Sequence, residues 1–445
     1  MKFRAPLVLL FWLVGCASTP SDGDDASSSA SSGGAVGAGN AANFAGSSAG
    51  TPTSDAGRGG ASGTNGGTGA ASGVSGASGA DGAGAAGGNG FIDGGTSSGP
   101  FVHPGVLVDR AMLDFVKAKL AAGAEPWKSA LNKLQSLPIA SPSYQPTPWT
   151  TVQCGSNSMP DNGCSDERND ATAAYASALI WFHTGDEAHA KAALRILDAW
   201  SAQLKSHTDS NAGVQAAWAA ELFPRAAEII RYTYSGWPAA DAARFATLLT
   251  TAYLPYVNHG SNANGNWELS MIDAMINIAV YTDDRASFDQ AVTMWRQRTP
   301  AYLYLTSDGA VPVSPPNQKL TGVALDSFWY SPSRYVSGLS QETCRDLGHV
   351  QYGLAALINA AETARIQGVD LFASERERIT TALEFNANLI NEKGGSGSVC
   401  TNGITSPSPL PTWEIALNAY AGVLGASLPN TNTLIAGIRP TSYDH

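Results

Sequence analysis

Residues 17 to 100 are almost wholly Gly, Ala, Ser, Thr, Asn and Asp, with Val36, Phe44, Val74 and Phe91 nearly the only larger apolar side chains. No hydrophobic core can be built from that composition, so the segment reads as a disordered linker. A coil of about 84 such residues has a root-mean-square reach on the order of 50 Å. Whatever folds must therefore lie in residues 101–445, which hold nearly all of the Trp, Tyr, Leu and Ile and are long enough for a large core.

Upstream of the linker, Lys2 and Arg4 precede an apolar run from Ala5 to Val14, with small residues around Cys16. That is the layout of a secretory signal, and the run is too short to span a bilayer. The stretch Leu13-Val14-Gly15-Cys16-Ala17 resembles a bacterial lipobox, which implies cleavage before Cys16 and acylation of that cysteine. An ordinary signal peptide with a chance cysteine is the alternative. Ala17 and Ser18 carry no acidic retention signal, so the resemblance implies a lipoprotein of the outer membrane or cell surface, held to the membrane by its lipid alone. The expected organisation is a signal segment (1–16), a linker (17–100) and a folded domain (101–445).

The net charge of −11 argues against nucleic-acid binding. A polyanionic substrate would need a local basic site, which makes the few clustered Arg and His residues informative. Four cysteines remain after Cys16. Export favours disulfides, and pairing of Cys154 with Cys164 and Cys344 with Cys400 is expected, one of three possible connectivities. No CxxC pair or histidine cluster suggests a metal, and no cofactor is implied.

Helical periodicity dominates from Val108 onward. Two short helices are expected within 108–137. A longer one covers 171–182, where Thr184-Gly185-Asp186 stops it and caps a partner over 186–204. Further helices follow over 214–234 with a kink at Pro224, 239–256, 267–281, 286–305, 343–367, 374–391 and 412–424. About eleven helices, no alternating strand pattern and no fixed repeat favour an all-α fold, an α/α toroid of antiparallel hairpins, over a solenoid. Two long loops, 257–266 and 306–342, interrupt the series. Both are rich in polar and aromatic residues, and loops of that kind are usually functional. Trp329 and Tyr330 in the second are candidate substrate contacts.

The sharpest chemical signal is the block Gln341 to Gly353. On a helix Arg345, His349 and Tyr352 stand at i, i+4 and i+7 and share one face, with Glu342 a turn earlier. They offer a cation, an imidazole and a phenol, with Glu342 a further substrate contact. A purely structural ion-pair network explains the same residues, and their place just after an aromatic loop favours chemistry. A second signal is Asn264-Gly265-Asn266-Trp267. Asn266 suits a helix cap, yet an amide at a helix start also suits a carboxylate ligand. Asn264 and Trp267 are candidate substrate contacts, Trp267 as a stacking platform or simply as core. Asn258-His259 is a weaker candidate in its loop.

These two blocks, the entry His103-Pro104-Gly105-Val106-Leu107 and the run from Ala360 through Glu362 to Gln367-Gly368 together resemble the alginate lyase superfamily of polysaccharide lyases. The resemblance covers most of residues 101–445. It implies an α/α toroid acting on alginate or related polyuronates such as glucuronan. It also implies an Asn or Arg that neutralises the uronate carboxylate, a His or Tyr base and a Tyr acid, roles that fall on Asn266, Arg345, His349 and Tyr352. Members often carry an adjacent Asn-His pair a few residues before the Trp. Here Asn264 and Asn266 occupy that neighbourhood, which favours His349 as the histidine of the site. A monomer acting on an acidic polysaccharide is expected. Two rivals stand beside this reading: a glycoside hydrolase drawing its acids from Glu268, Glu342 and Asp346, and a non-catalytic glycan-binding lipoprotein.

Overall fold

A computed structural model describes residues 99–393, 399–401, 403–405 and 409–439. Cys16, the signal segment and residues 17–98 of the linker lie outside the described residues.

The expected all-α fold is present, and its inner helices have a compositional cause. Helices α1 (Arg110–Ala121) and α2 (Trp127–Gln135) lead into α3 (Cys164–Thr184), α4 (Glu187–Gln203), α5 (Ala212–Thr233) and α6 (Ala239–Leu248). There follow α7 (Gly265–Tyr281), α8 (Arg285–Arg298), the short α9 (Gly322–Phe328), α10 (Leu347–Ile366), α11 (Arg376–Asn391), α12 (Trp413–Leu417) and α13 (Pro429–Ile438). Helices α3, α5, α7 and α10 pack in succession, with α4 against α3 and α8 against α7 on the outside. These four are buried almost all round, the signature of an inner layer rather than of a surface helix. Small residues let them approach closely: Ala171, Ala174 and Ala178 on α3, and Ala216, Ala220 and Ala227 on α5, are fully buried. A buried ion pair from Arg225 on α5 to Asp273 on α7, 2.7 Å, ties two of them together. The N-termini of α7 and α10 share one rim, since Gln341 and Glu342, just before α10, accept hydrogen bonds from the first residues of α7.

Several boundaries differ from expectation for identifiable reasons. Asp186 does cap α4, accepting from the Ala188 N–H at 3.0 Å. Helix α5 runs unbroken through Pro224. Helix α8 ends at Arg298, just before Pro300, which lacks the N–H to continue it. Past α6 the chain continues as a π-turn (Leu249–Tyr253) and a further helical turn to Val257. The strand-free expectation fails in one place. Thr151–Cys154, Asp161–Asn162 and Ser206–Thr208 form a small sheet, antiparallel for the first two and parallel for the first and third. Strands of two to four residues are too short to show alternation. Disulfides join Cys154 to Cys164, beside this sheet, and Cys344 to Cys400.

The consequential correction concerns α10. It begins at Leu347, not Thr343, because Asp346 is extended and caps it, its Oδ1 accepting the His349 N–H at 2.8 Å. Residues 341–345 form turns, so Arg345 is not a turn of that helix and the shared helical face does not exist.

Candidate active site

The block reassembles by tertiary contact what the helical spacing was expected to supply. Its anchor is the N-terminus of α7. The Gly265 N–H donates to Gln341 Oε1 at 2.7 Å, and the Asn266 N–H donates to Glu342 Oε2 at 3.1 Å. The carboxylate thus sits where free N–H groups and the positive helix end favour an anion. Glu342 is fully buried, and Arg345 Nη1 donates to its Oε1 at 2.9 Å. Burial pushes the Glu342 carboxyl above its ordinary value, against the pull of Arg345, His349 and the Asn266 N–H. This corrects two expectations. Glu342 is buried and held by the start of α7 and by Arg345 rather than exposed for contact, and Asn266 is not the cap: α7 begins at Gly265, with Asn264 in the cap position. The Asn266 side-chain Oδ1 is buried without a partner.

Beneath this anchor lies Tyr302, fully buried, with its hydroxyl 3.4 Å from Glu342 Oε2 and 3.5 Å from the His349 carbonyl. Two glycines admit its ring. A Cβ on Gly265 would fall 2.0 Å from Tyr302 Cδ2, and one on Gly353 would fall 2.1 Å from Tyr302 Oη.

Above it, three groups reach solvent. Arg345 is 31% exposed and His349 32%. Tyr352 is 42% exposed. The His349 and Tyr352 rings meet edge to face with centroids 5.9 Å apart. His349 Nδ1 lies 2.6 Å from Asp346 Oδ2. Burial would raise the Asp346 carboxyl, but the His349 ring and backbone N–H, with the Arg345 guanidinium, outweigh it and hold Asp346 below its ordinary value. The Arg345 guanidinium also lies 5.9 Å from the Tyr330 ring centroid. Tyr330 accepts from Asn264 Nδ2 at 2.6 Å, so the two loops close on each other here. Tyr330 and Ser331 hold left-handed backbone (φ 59° and 50°), a conformation non-glycine residues keep only when their surroundings enforce it.

Trp267 is half-buried and lines a cavity of about 480 Å³ with His259, Ser261, Asn262, Met271 and Asn317. A platform role for Trp267 is thus geometrically open. Trp329 has none: it is 1% exposed, packed with Tyr304, Leu325 and Leu339 in a satellite core under the second loop. The loop carries its own core and spends Trp329 on it. His259 moves the other way. Set aside in the sequence as a loop residue, it stands exposed on the cavity wall. The Asn-His pair was the signal that could have promoted it. Asn317, which no sequence signal marked, lies 3.4 Å from Glu268 on the same wall.

The acids drafted for a hydrolase do not form a pair across an open cleft. Glu268 is buried against Arg298, 3.0 Å away, and Glu342 is buried as described, leaving only Asp346 near solvent. Among the described residues no group of three or more His, Cys, Asp or Glu is placed to hold a metal ion.

Residues 123–314 match the family model described as alginate lyase. Together with the helical toroid, that match supports a polysaccharide lyase. Among solved structures, this lyase resembles alginate lyase A1-III from Sphingomonas species A1, at 15% identity and a TM-score of 0.52, over 74% of this chain and 91% of that one. A histidine-to-alanine variant of A1-III complexed with tetrasaccharide gives 18% identity and a TM-score of 0.53, over 76% and 96%. An alginate lyase from Bacteroides ovatus gives 13% and 0.50, over 77% and 97%. At these identities the likeness shows the fold, which is the expected toroid. No match was found among curated protein sequences.

Proposed function

We propose that this lyase cleaves a uronic-acid polysaccharide, alginate or glucuronan, by β-elimination. One observation carries the reading: a solvent-reachable imidazole and phenol stand edge to face beside a guanidinium, while Glu268 and Glu342, the acids a hydrolase would need, are buried and paired. Removing the C5 proton of a uronate builds charge on its carboxylate, and Arg345 with the Asn266 amide would stabilise that charge as an oxyanion hole does. His349 takes the C5 proton. The electron pair of the broken C–H bond forms the C4=C5 double bond and expels O4, which receives its proton from Tyr352. The tetrasaccharide held by the A1-III variant and the alginate in the names of the matching proteins support an acidic chain as the substrate.

The test is a panel of alginate, polymannuronate, polyguluronate, glucuronan and hyaluronan, read by the ultraviolet absorbance of the unsaturated uronate. Tyr352→Phe should lower turnover by about 10²- to 10⁴-fold in a folded protein. Hydrolysis products without absorbance would point to a glycosidase, and binding without any product to a glycan-binding protein. Near wild-type turnover in the variant would remove Tyr352 from the mechanism.

A further inference from the structure

We propose that Asp346 is a positioning residue that fixes the tautomer of His349, so that Nε2 is the nitrogen offered to the substrate. The proposal rests on the reading of His349 as the base, and it assigns which atom of that base acts.

Asp346 makes two different bonds with one residue. Its Oδ1 accepts the His349 backbone N–H at 2.8 Å, the helix cap, and its Oδ2 lies 2.6 Å from His349 Nδ1. A contact that short needs one proton between the two atoms. The His349 imidazole and its N–H, with the neighbouring guanidinium of Arg345, favour the charged form of Asp346, and an ionised carboxylate only accepts. The proton therefore belongs to Nδ1. A neutral imidazole carries only one N–H, so Nε2 holds the lone pair. Among the described residues no protein group bonds Nε2, and the ring is 32% exposed on the rim where Arg345 and Tyr352 also reach solvent. The cap ties the backbone and Oδ2 ties the ring, so one side chain sets both the place and the orientation of the imidazole. When the C5–H bond breaks, its proton lands on Nε2 and the Nδ1–H stays in place. The ring becomes an imidazolium directly opposite the Asp346 carboxylate, which stabilises the charge as it forms.

A cap and a tautomer lock can be separated by substitution. Asn caps a helix about as well as Asp, so Asp346→Asn keeps the start of α10. Its amide, however, can present an N–H to Nδ1, which would move the ring proton to Nε2 and block the base. Ser in Asp346→Ser also caps, but is too short to reach the ring. With the full chain labelled with ¹⁵N-histidine, the His349 signals are assigned by their loss in His349→Ala. The wild-type neutral ring should show a protonated Nδ1 and a bare Nε2, and Asp346→Asn should reverse the pattern. Turnover of Asp346→Asn on the best polyuronate of the panel should fall by about 10- to 100-fold with KM within a few-fold, the usual cost of losing a partner that orients an acting histidine. Asp346→Ser should lose turnover less than Asp346→Asn, since its ring is freed rather than reversed. A wild-type ring protonated on Nε2, or Asp346→Asn with turnover within twofold of wild type, overturns the proposal. If no polyuronate yields an unsaturated product even with wild type, the lyase reading fails, and the nitrogen signals still decide the tautomer.

Discussion

Gly353→Ala gives the packing of the site a sign that can be wrong. Within a helix such as α10, replacing Gly by Ala ordinarily stabilises by about 1 kcal/mol. Here the added methyl would stand 2.1 Å from Tyr302 Oη and 2.4 Å from Tyr302 Cζ, well inside contact distance. Tyr302 has nowhere to retreat: it is fully buried, and the Gly265 backbone lies so close to the other part of its ring that a Cβ there would meet Cδ2 at 2.0 Å. Forcing a methyl into such a place costs about 1–3 kcal/mol and occasionally more, so the usual gain is cancelled and the net effect is destabilising. A cost of about 3 kcal/mol against the gain of about 1 leaves about 2 kcal/mol net, which for a folded region of about 345 residues lowers Tm by roughly 3 °C. Because Tyr302 underlies both Glu342 and the His349 carbonyl, its displacement also shifts the catalytic groups, and turnover should fall by about 10- to 100-fold. Thermal unfolding followed by circular dichroism and the ultraviolet lyase assay on the same sample test both parts. Adding Tyr302→Phe removes the atom of closest contact and should restore part of the lost Tm. A Gly353→Ala protein that melts at or above the wild-type temperature would refute the argument.

Two further outcomes follow from other parts of the chain. His103 bridges the buried Glu228, 2.9 Å away, and Asp283, 3.1 Å away; burial alone would lower its pKa, but the two carboxylates outweigh it and leave it raised above 6.5. Its stabilisation is therefore fully present below pH 6.5 and lost as pH rises through the raised value. The Tm difference between wild type and His103→Gln should be a few degrees at pH 6, corresponding to about 1.5–3 kcal/mol for a bond to a charged group, and should shrink with rising pH. A difference that stays constant or grows would contradict this. On the lipobox resemblance, Cys16→Ser is expected to shift the protein from the membrane to detergent-free soluble fractions; continued membrane retention of the variant would end that expectation.

How much of this was legible in the sequence depended on the range of the interaction that decides each feature. The inner helices were readable because near-continuous runs such as those around Ala171–Phe182 and Leu354–Ala361 are local. The start of α10 was misplaced because Thr343-Cys344-Arg345 continues a helical pattern, and only the capping Asp346 stops it. An Asp directly before the apolar run that starts at Leu347 is a readable cap signal, which the apparent periodicity overrides. Trp329 and His259 were exchanged in importance because exposure in a long loop depends on whether that loop packs on itself. No period in the sequence reports that. Arg345 and His349 meet at Asp346 through a turn pinned to α7, whereas only His349 and Tyr352 share the helix.

That cause changes the electrostatics of the site. If Arg345 and Glu342 were only an i, i+3 pair on a surface helix, the pair would be worth a few tenths of a kcal/mol and Arg345 would be largely free. Instead Glu342 occupies the anion position at the start of α7, where the Asn266 N–H and the helix end share its charge with Arg345. Because the helix carries part of that load, Arg345, which also lies 3.8 Å from Asp346, would keep its exposed third for a substrate carboxylate on the proposed mechanism. The substrate cannot displace Glu342 from the helix end, since that would leave a fully buried carboxylate without partners. On the proposed mechanism an incoming uronate would therefore be met by the exposed part of Arg345, beside His349 and Tyr352. On that reading the buried glutamate would set where the substrate's negative charge sits, and so which C–H bond faces the base.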